Sequence, residues 1–177
     1  MSTITPLTPQ SHYAKISQMT IEKPYPEIIF EQMQQKDLEQ VMVIEKESFP
    51  DPWSESFFKK ELRKRKKYTH LYIARLNNEV IGYIVFYIFR CEGHILNIAV
   101  ASEYRRRGVA KYLLASALEI VRKNAGKEIF LEVSVNNIAA QGLYRQFGFE
   151  VYGIRKRYYS NGEDAYVLRK EIQCYSS

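Results

Sequence analysis

Long apolar runs are missing from this chain. The longest, residues 80–89, is about half of the roughly 20 residues that a membrane-spanning helix needs, which argues against a membrane protein. Residues 1–30 contain no apolar block behind a basic start, so no secretory signal is expected. Cysteine is scarce: Cys91 and Cys174 stand far apart, without metal-ligand spacing. They predict a reduced, cytoplasmic compartment in which both thiols are ordinary packing residues. His12, His70 and His94 show neither ligand nor triad spacing, so no metal is expected.

What is present is the composition of a soluble globular protein, with 46% hydrophobic and 26% charged residues. A length of 177 residues suits one well-buried domain and is too short for two ordinary ones. The net charge of +6 (26 basic minus 20 acidic residues) would suit a polyphosphate cofactor, a ribosome or nucleic acid, and charge alone does not choose among them.

Residues 1–27 carry Thr, Ser, Gln and Pro without a clear period and read as an N-terminal extension, mobile unless docked on the body. The folded domain, 28–177, opens on a short strand at 28–30. Asp37 offers an N-cap for a helix bearing Leu38, Val41, Met42, Ile44 and Glu45, which Pro50 and Pro52 stop. Ser54 caps a second helix with Phe57, Phe58, Glu61 and Leu62, running out in the cations of 63–67. Strands at 69–76 and 80–90 meet at Asn77-Asn78, a hairpin signal, and a third at 94–100 follows a turn at Glu92-Gly93. Ala110, Leu113, Leu114, Ala117, Leu118 and Val121 then recur at helical spacing, with Gly126 placed to end that helix. A strand at 128–134, a helix at 137–147 stopped by Gly148, and strands at 149–158 and 165–172 complete the chain. The order β αα βββ α β α ββ predicts an α/β (α+β) chain: a mixed, mostly antiparallel sheet of about seven strands with helices on both faces.

Chemistry first shows in the stretch 100–110. A strand ends, a loop carries Arg105, Arg106, Arg107 and Gly108, and a long helix begins at once with Val109 and Ala110. Unpaired N–H groups and the positive dipole end make such a helix start an anion site. Gly108 lets the backbone approach a phosphate, Ala110 keeps the first turn uncrowded, and the arginines add donors. The same pattern also reads as a basic surface loop with Gly108 serving only the turn.

Arg105-x-x-Gly108-x-Ala110 resembles the Q/R-x-x-G-x-G/A pyrophosphate loop of the GNAT superfamily of acetyltransferases, and the element order is similar to that family's over about 28–172. The resemblance implies the GNAT fold and acetyl-CoA as cosubstrate, without a metal. It implies that 105–110 hold the coenzyme pyrophosphate and that the preceding strand, through Ile98, Ala99 and Val100, lines the pantetheine arm with backbone groups. It further implies a bulge that splays this strand from its neighbour to admit the arm.

Leu131-Glu132-Val133 sets an acid inside an apolar strand, where a carboxylate either reaches solvent or lines a cleft that tunes it. The stretch Leu-Glu-Val-x-x-x-Asn-x-x-Ala-x-x-Leu-Tyr-x-x-x-Gly-Phe resembles the N-terminal (α-amine) acetyltransferases within GNAT, especially the ribosomal-protein alanine (RimI) type and its archaeal relatives. That likeness implies Glu132 as general base and Tyr144 as general acid, with Asn137 and Tyr144 touching the cofactor. By themselves, Tyr144 reads as a core aromatic beside Leu143 and Phe147, and Asn137 as a helix N-cap. Ser134 stands where relatives often have Arg. The demand is modest: an α-amine titrating near 8 costs about 1.4 kcal/mol to deprotonate at pH 7, a lysine near 10.4 about 4.6 kcal/mol.

Phe49, Pro50 and Trp53 lie in a segment similar to the Phe-Pro-x-Pro-Trp-Ser of RimI-type enzymes, and 157–165 resembles their last hairpin. The resemblance implies that these loops grip the first residues of a peptide, with Tyr158 or Tyr159 bonding its backbone. Core anchoring for Trp53 and hairpin packing for the tyrosines are the plain alternatives. The run 63–67 reads as a solvated helix end rather than a nucleic-acid site. The expected reaction is acetyl transfer to the α-amine of protein N-termini, among them ribosomal proteins or nascent chains. Acetylation of lysine side chains or a small amine, and non-catalytic acetyl-CoA sensing, are the alternatives. A sensor would need neither Glu132 nor Tyr144.

Overall fold

The computed structural model describes residues 21–63 and 68–172. Within them lie β1 (Ile29–Gln32), α1 (Leu38–Ser48), α2 (Glu55–Arg63), β2 (Thr69–Leu76), β3 (Glu79–Phe89), β4 (Glu92–Val100), α3 (Val109–Lys123), β5 (Glu128–Ser134), α4 (Ile138–Gln146), β6 (Glu150–Arg155) and β7 (Ala165–Glu171). The seven strands form one sheet in the order β1-β2-β3-β4-β5-β7-β6, antiparallel throughout except for the parallel pair β4–β5. That is the mixed sheet expected from the order of elements.

Strand alternation divides the core between the two sheet faces. Ile84, Phe86, Ile95, Ile129 and Leu131 point to one face, where Leu113, Leu114, Ala117 and Val121 of α3 and Tyr144 of α4 cover them. Ile73, Tyr83 and Val85 point to the other, against Leu38, Val41 and Ile44 of α1 and Phe58 of α2. Each such fully buried aliphatic contributes about 1.5–3 kcal/mol. Ile21 and Tyr25 pack on the first core, so the described part of the N-terminal stretch lies on the body.

One cap and one turn form as their residues dictate. Ser54 Oγ accepts the Phe57 N–H at 3.2 Å, capping α2. Asn77 and Asn78 take φ of 49° and 68°, the left-handed pair that a two-residue hairpin requires.

Other expectations need correction. Asp37 does not cap α1 with its side chain; it is buried, accepts the Gln34 N–H at 2.7 Å and pairs with Arg75 at 2.6 Å. The β3–β4 turn is Arg90-Cys91, not Glu92-Gly93. Arg90 takes φ 55° directly after Phe89, so pairing resumes at Phe89↔Glu92. Cys91 is therefore exposed at a turn rather than packed inside; Cys174 lies outside the described residues. After α3 the left-handed residue is Ala125 (φ 57°), while Gly126 is needed for clearance, since a Cβ there would meet Val121 Cγ1 at 2.4 Å. β6 stops at Arg155, short of Tyr158, because Asp164 takes the Arg157 N–H and the Lys156 ammonium and folds 156–164 into a structured loop. Of the basic run, Arg63 ends α2 and 64–67 lie outside the described residues.

Candidate active site

The site begins where the sheet comes apart. Val85 faces Asn97 and Phe86 faces Ile95, so Leu96 is an extra residue in β4, a bulge. Pairing with β5 covers only Glu92–Ile95 against Glu128–Leu131 and ends at that bulge, although both strands continue. From Asn97 to Val100, β4 therefore offers a backbone edge that no strand of the sheet takes up on the β5 side. Ala99 and Val100 are buried and Ile98 half-buried, so their contribution to anything in the gap is through main-chain groups.

The widening gap leads to the start of α3. Gly108 is its N-cap at φ 87°, and no side chain caps it. The first intrahelical bond is Tyr112 N–H to Gly108 C=O at 3.0 Å, which leaves the N–H groups of Val109, Ala110 and Lys111 outside the helical ladder. A phosphate suits those donors and the helix dipole. The three arginines are not equivalent. Arg105 turns back, donating Nε–H to Val100 C=O at 3.0 Å and a terminal N–H to Ser48 Oγ at 3.0 Å, and so braces the loop against β4 and α1. Arg106 (φ 61°) and Arg107 are exposed beside the helix start. The unpaired β4 edge and the uncapped α3 start, at two ends of one gap, fit a chain of amides ending in a diphosphate, as in coenzyme A.

Glu132 stands beside this gap on β5, with only 9% of its side chain exposed. Oε2 lies 2.6 Å from His94 Nε2 on β4, and Oε1 lies 3.1 Å from the Arg155 guanidinium on β6. Burial pushes its carboxyl up, but the hydrogen bond and charge of His94 and the charge of Arg155 more than offset this, leaving it below the usual carboxylate range. With Glu132 ionised, His94 Nε2 carries the proton of that bond. Nδ1 then faces the Tyr87 hydroxyl at 3.4 Å, and the two rings stack at 5.4 Å.

Tyr144 is buried on α4, edge-on to Phe149, and burial first and the neighbouring Tyr159 second raise its phenol far above the ordinary value. Tyr159 is pushed to about 12 by burial, then by Tyr158 and Glu132. Tyr158 packs edge-to-face on Tyr159 at 5.2 Å and lies under the Arg155 guanidinium. Tyr159 thus lies within electrostatic reach of Glu132, Tyr158 and Tyr144. Ser134 latches the loop that carries the two tyrosines, donating to Glu163 at 2.5 Å, while Val135 N–H reaches Asp164 C=O. Asn137 caps α4 by accepting the Ala140 N–H at 3.0 Å.

Across β4, Trp53 is half-buried against Phe57 (4.4 Å) and Phe58, and Phe49 packs on the same core, while Pro50 is exposed. The Trp53 N–H reaches back to Glu45 at 2.7 Å. Among the described residues, no hydrogen bond, ion pair or ring contact joins loop 49–54 to loop 156–164; the first is tied to Glu45 of α1 and the rings of α2, the second to Ser134 of β5. No three metal-binding side chains converge among the described residues. Sequence spacing missed His94 and Arg155, because only the strand order sets them beside Glu132. It also missed the enclosed Glu45, whose sole signal was its place on the apolar stripe of α1.

The profile of the acetyltransferase (GNAT) family matches residues 38–149. An N-alpha-acetyltransferase of Saccharolobus solfataricus is 32% identical over 150 residues, spanning 77% of this chain and 88% of its own length. Among solved structures, the ribosomal-protein-S18-alanine N-acetyltransferase of Escherichia coli superposes with a TM-score of 0.76 at 26% identity, over 85% of this chain and 97% of that one. A NatC complex bound to Gag peptide and CoA contains a chain with TM-score 0.72 and 29% identity, over 83% of this chain and 99% of that one.

Proposed function

Because the chain belongs to the acetyltransferase (GNAT) family, an N-acetyltransferase family working with acetyl-CoA, we propose that it acetylates the free α-amino group of protein N-termini by direct attack, with Glu132 as general base and Tyr144 as general acid. The observation that carries this reading is the place of Glu132: an ionised, largely buried carboxylate at the edge of the β4–β5 gap, bonded to His94 at 2.6 Å. The named activities of the relatives, on α-amines and on ribosomal-protein alanine, support the acceptor class.

Bound acetyl-CoA supplies an activated thioester. The residues to hold it are the main-chain groups of Ile98, Ala99 and Val100, the donors of 108–111, and Arg106 and Arg107 at the loop. Arg105 acts indirectly by bracing the loop. An incoming ammonium loses its proton toward Glu132, and the neutral amine becomes the nucleophile. His94 orients Glu132 through the 2.6 Å bond from Nε2 to Oε2. A weak base suffices, because an α-amine needs only about 1.4 kcal/mol to lose its proton at pH 7. Tyr144, held protonated by burial, donates to the departing thiolate. Phe49, Pro50 and Trp53 on one side, and Tyr158 and Tyr159 on the other, flank the acceptor entrance. Asn137 secures the start of α4, the helix that carries Tyr144. Ribosomal proteins or nascent chains are the proposed substrates, and the cytoplasm the proposed place of work.

The test is acetyl transfer from acetyl-CoA to short peptides beginning with Ala, Ser, Thr or Met, run beside N-blocked peptides with an internal lysine. Turnover confined to free N-termini is expected. Turnover confined to the blocked lysine peptides would overturn the α-amine reading.

A further inference from the structure

Glu45 is fully enclosed on the buried side of α1, and no step of the proposed reaction uses it. A carboxylate enclosed without partners is costly enough that chains neutralise or avoid it. Here donors converge on it from three separate elements. The Trp53 N–H of loop 49–54 donates to Oε1 at 2.7 Å. The Asn97 amide of β4 donates at 3.2 Å to Oε2 and 3.4 Å to Oε1, and the Tyr83 hydroxyl of β3 donates to Oε2. Asn97 is the residue immediately after the Leu96 bulge. The carboxylate thus bridges the loop proposed to flank the acceptor and the strand proposed to line the cofactor.

We propose that Glu45 is a positioning residue that locks loop 49–54 to the bulged segment of β4, fixing the acceptor entrance relative to the strand that presents the thioester. The inference rests on the reading of loop 49–54 as the acceptor entrance. The lock supplies something that apolar packing does not. Trp53 leans on Phe57 and Phe58 through tilted ring contacts, which hold the ring but set no register with β4. Among the described residues, only the Glu45 bonds span from the Trp53 main chain to Asn97. An apolar residue at 45 would fill the space and leave the Trp53 N–H, the Asn97 amide and the Tyr83 hydroxyl seeking other partners.

A polarity swap tests this. Asn97→Asp sets a carboxylate against a carboxylate; adding Glu45→Gln restores a donor facing an acceptor and still accepts the Trp53 N–H. Trp53 is the sole tryptophan of the chain, so its fluorescence reports on the loop independently of turnover. Asn97→Asp is expected to red-shift Trp53 emission and raise the peptide KM about tenfold. It should also change the ratio of kcat/KM between peptides that differ at the first residue, which a merely destabilised protein would not do well below its Tm. The Glu45→Gln/Asn97→Asp double variant is expected to return all three readouts to within threefold of the wild type. If Asn97→Asp fails to fold, a folded double variant with wild-type emission supports the lock, and a double variant that also fails overturns it. Unchanged emission and peptide KM in folded Asn97→Asp overturn it too. If the wild type acetylates no free N-terminus, the proposed function falls, while Trp53 emission still decides the lock.

Discussion

At Glu132 two influences oppose each other, and their balance sets what pH does to the reaction. Burial favours the neutral acid, whereas His94 and Arg155 favour the carboxylate, and the charges win. Its net shift is downward, so the carboxylate form is complete above the ordinary carboxyl range and is lost only as pH falls below it. The acid limb of kcat/KM between pH 6 and 8 should therefore belong to the substrate ammonium rather than to Glu132. For an α-amine peptide we expect kcat/KM to rise tenfold per unit up to about pH 8 and then level off. Glu132→Gln should lower kcat by about 10²–10⁴-fold without moving the acetyl-CoA dissociation constant measured by calorimetry. Tyr144→Phe should lower kcat while the peptide KM stays put. Unaltered kcat in Glu132→Gln would remove it as the base. Glu132 and Tyr144 stood out in the sequence because one motif holds both. His94 and Arg155 did not, because residues 38 and 23 positions away from Glu132 become neighbours only through the order β4-β5-β7-β6.

At the scale of elements, the binding role proposed for the start of α3 hangs on one turn. Gly108 holds φ at 87°, and a Cβ there would meet Pro24 only at 3.4 Å, an ordinary contact. Gly108→Ala would thus be strained by backbone conformation rather than by a clash, at about 1–2 kcal/mol. In a chain of this size that lowers Tm by about 2–8 °C. If the loop instead relaxes to negative φ, the strain is relieved by turning the 109–111 N–H groups, and acetyl-CoA affinity should fall more than Tm suggests. Calorimetric titration beside a thermal melt separates the two, and unchanged affinity with unchanged Tm would show that the left-handed turn matters to neither. Turn chemistry was legible where residue type announces it, as at Asn77-Asn78 and Ser54. It was illegible at Arg90 and Ala125, whose left-handed conformations are imposed by the strand pairing and helix packing around them. The three consecutive arginines looked alike in sequence, yet local geometry spends Arg105 on Val100 and Ser48.

At the scale of the molecule, the number and sequence of strands and helices followed from hydrophobic period and punctuation. The break in the sheet did not: nothing local to Leu96 marks a bulge, and it was expected only from resemblance. Among the described residues, four residue pairs in the β4–β5 ladder join the strands β1–β4 to β5–β7, and shared packing on α3 adds to them. A cofactor lying in the gap would add main-chain bonds where the sheet has none. Amide exchange with and without acetyl-CoA should therefore change unevenly. Protection is expected to rise at residues 97–100 and 108–111, while the amides of β2 and β3 paired over 69–74 and 82–87, already in an uninterrupted register, stay as they are. Binding only the native state also raises Tm, by the amount that RT ln(1 + [L]/Kd) prescribes, so a uniform gain in protection would report global stabilisation alone. The gap is supported as the cofactor site only if the local gain at those two segments exceeds that uniform term. Protection gained instead on the exposed face of α1 and α2 would place the cofactor elsewhere and remove the basis for the whole assignment of roles along β4.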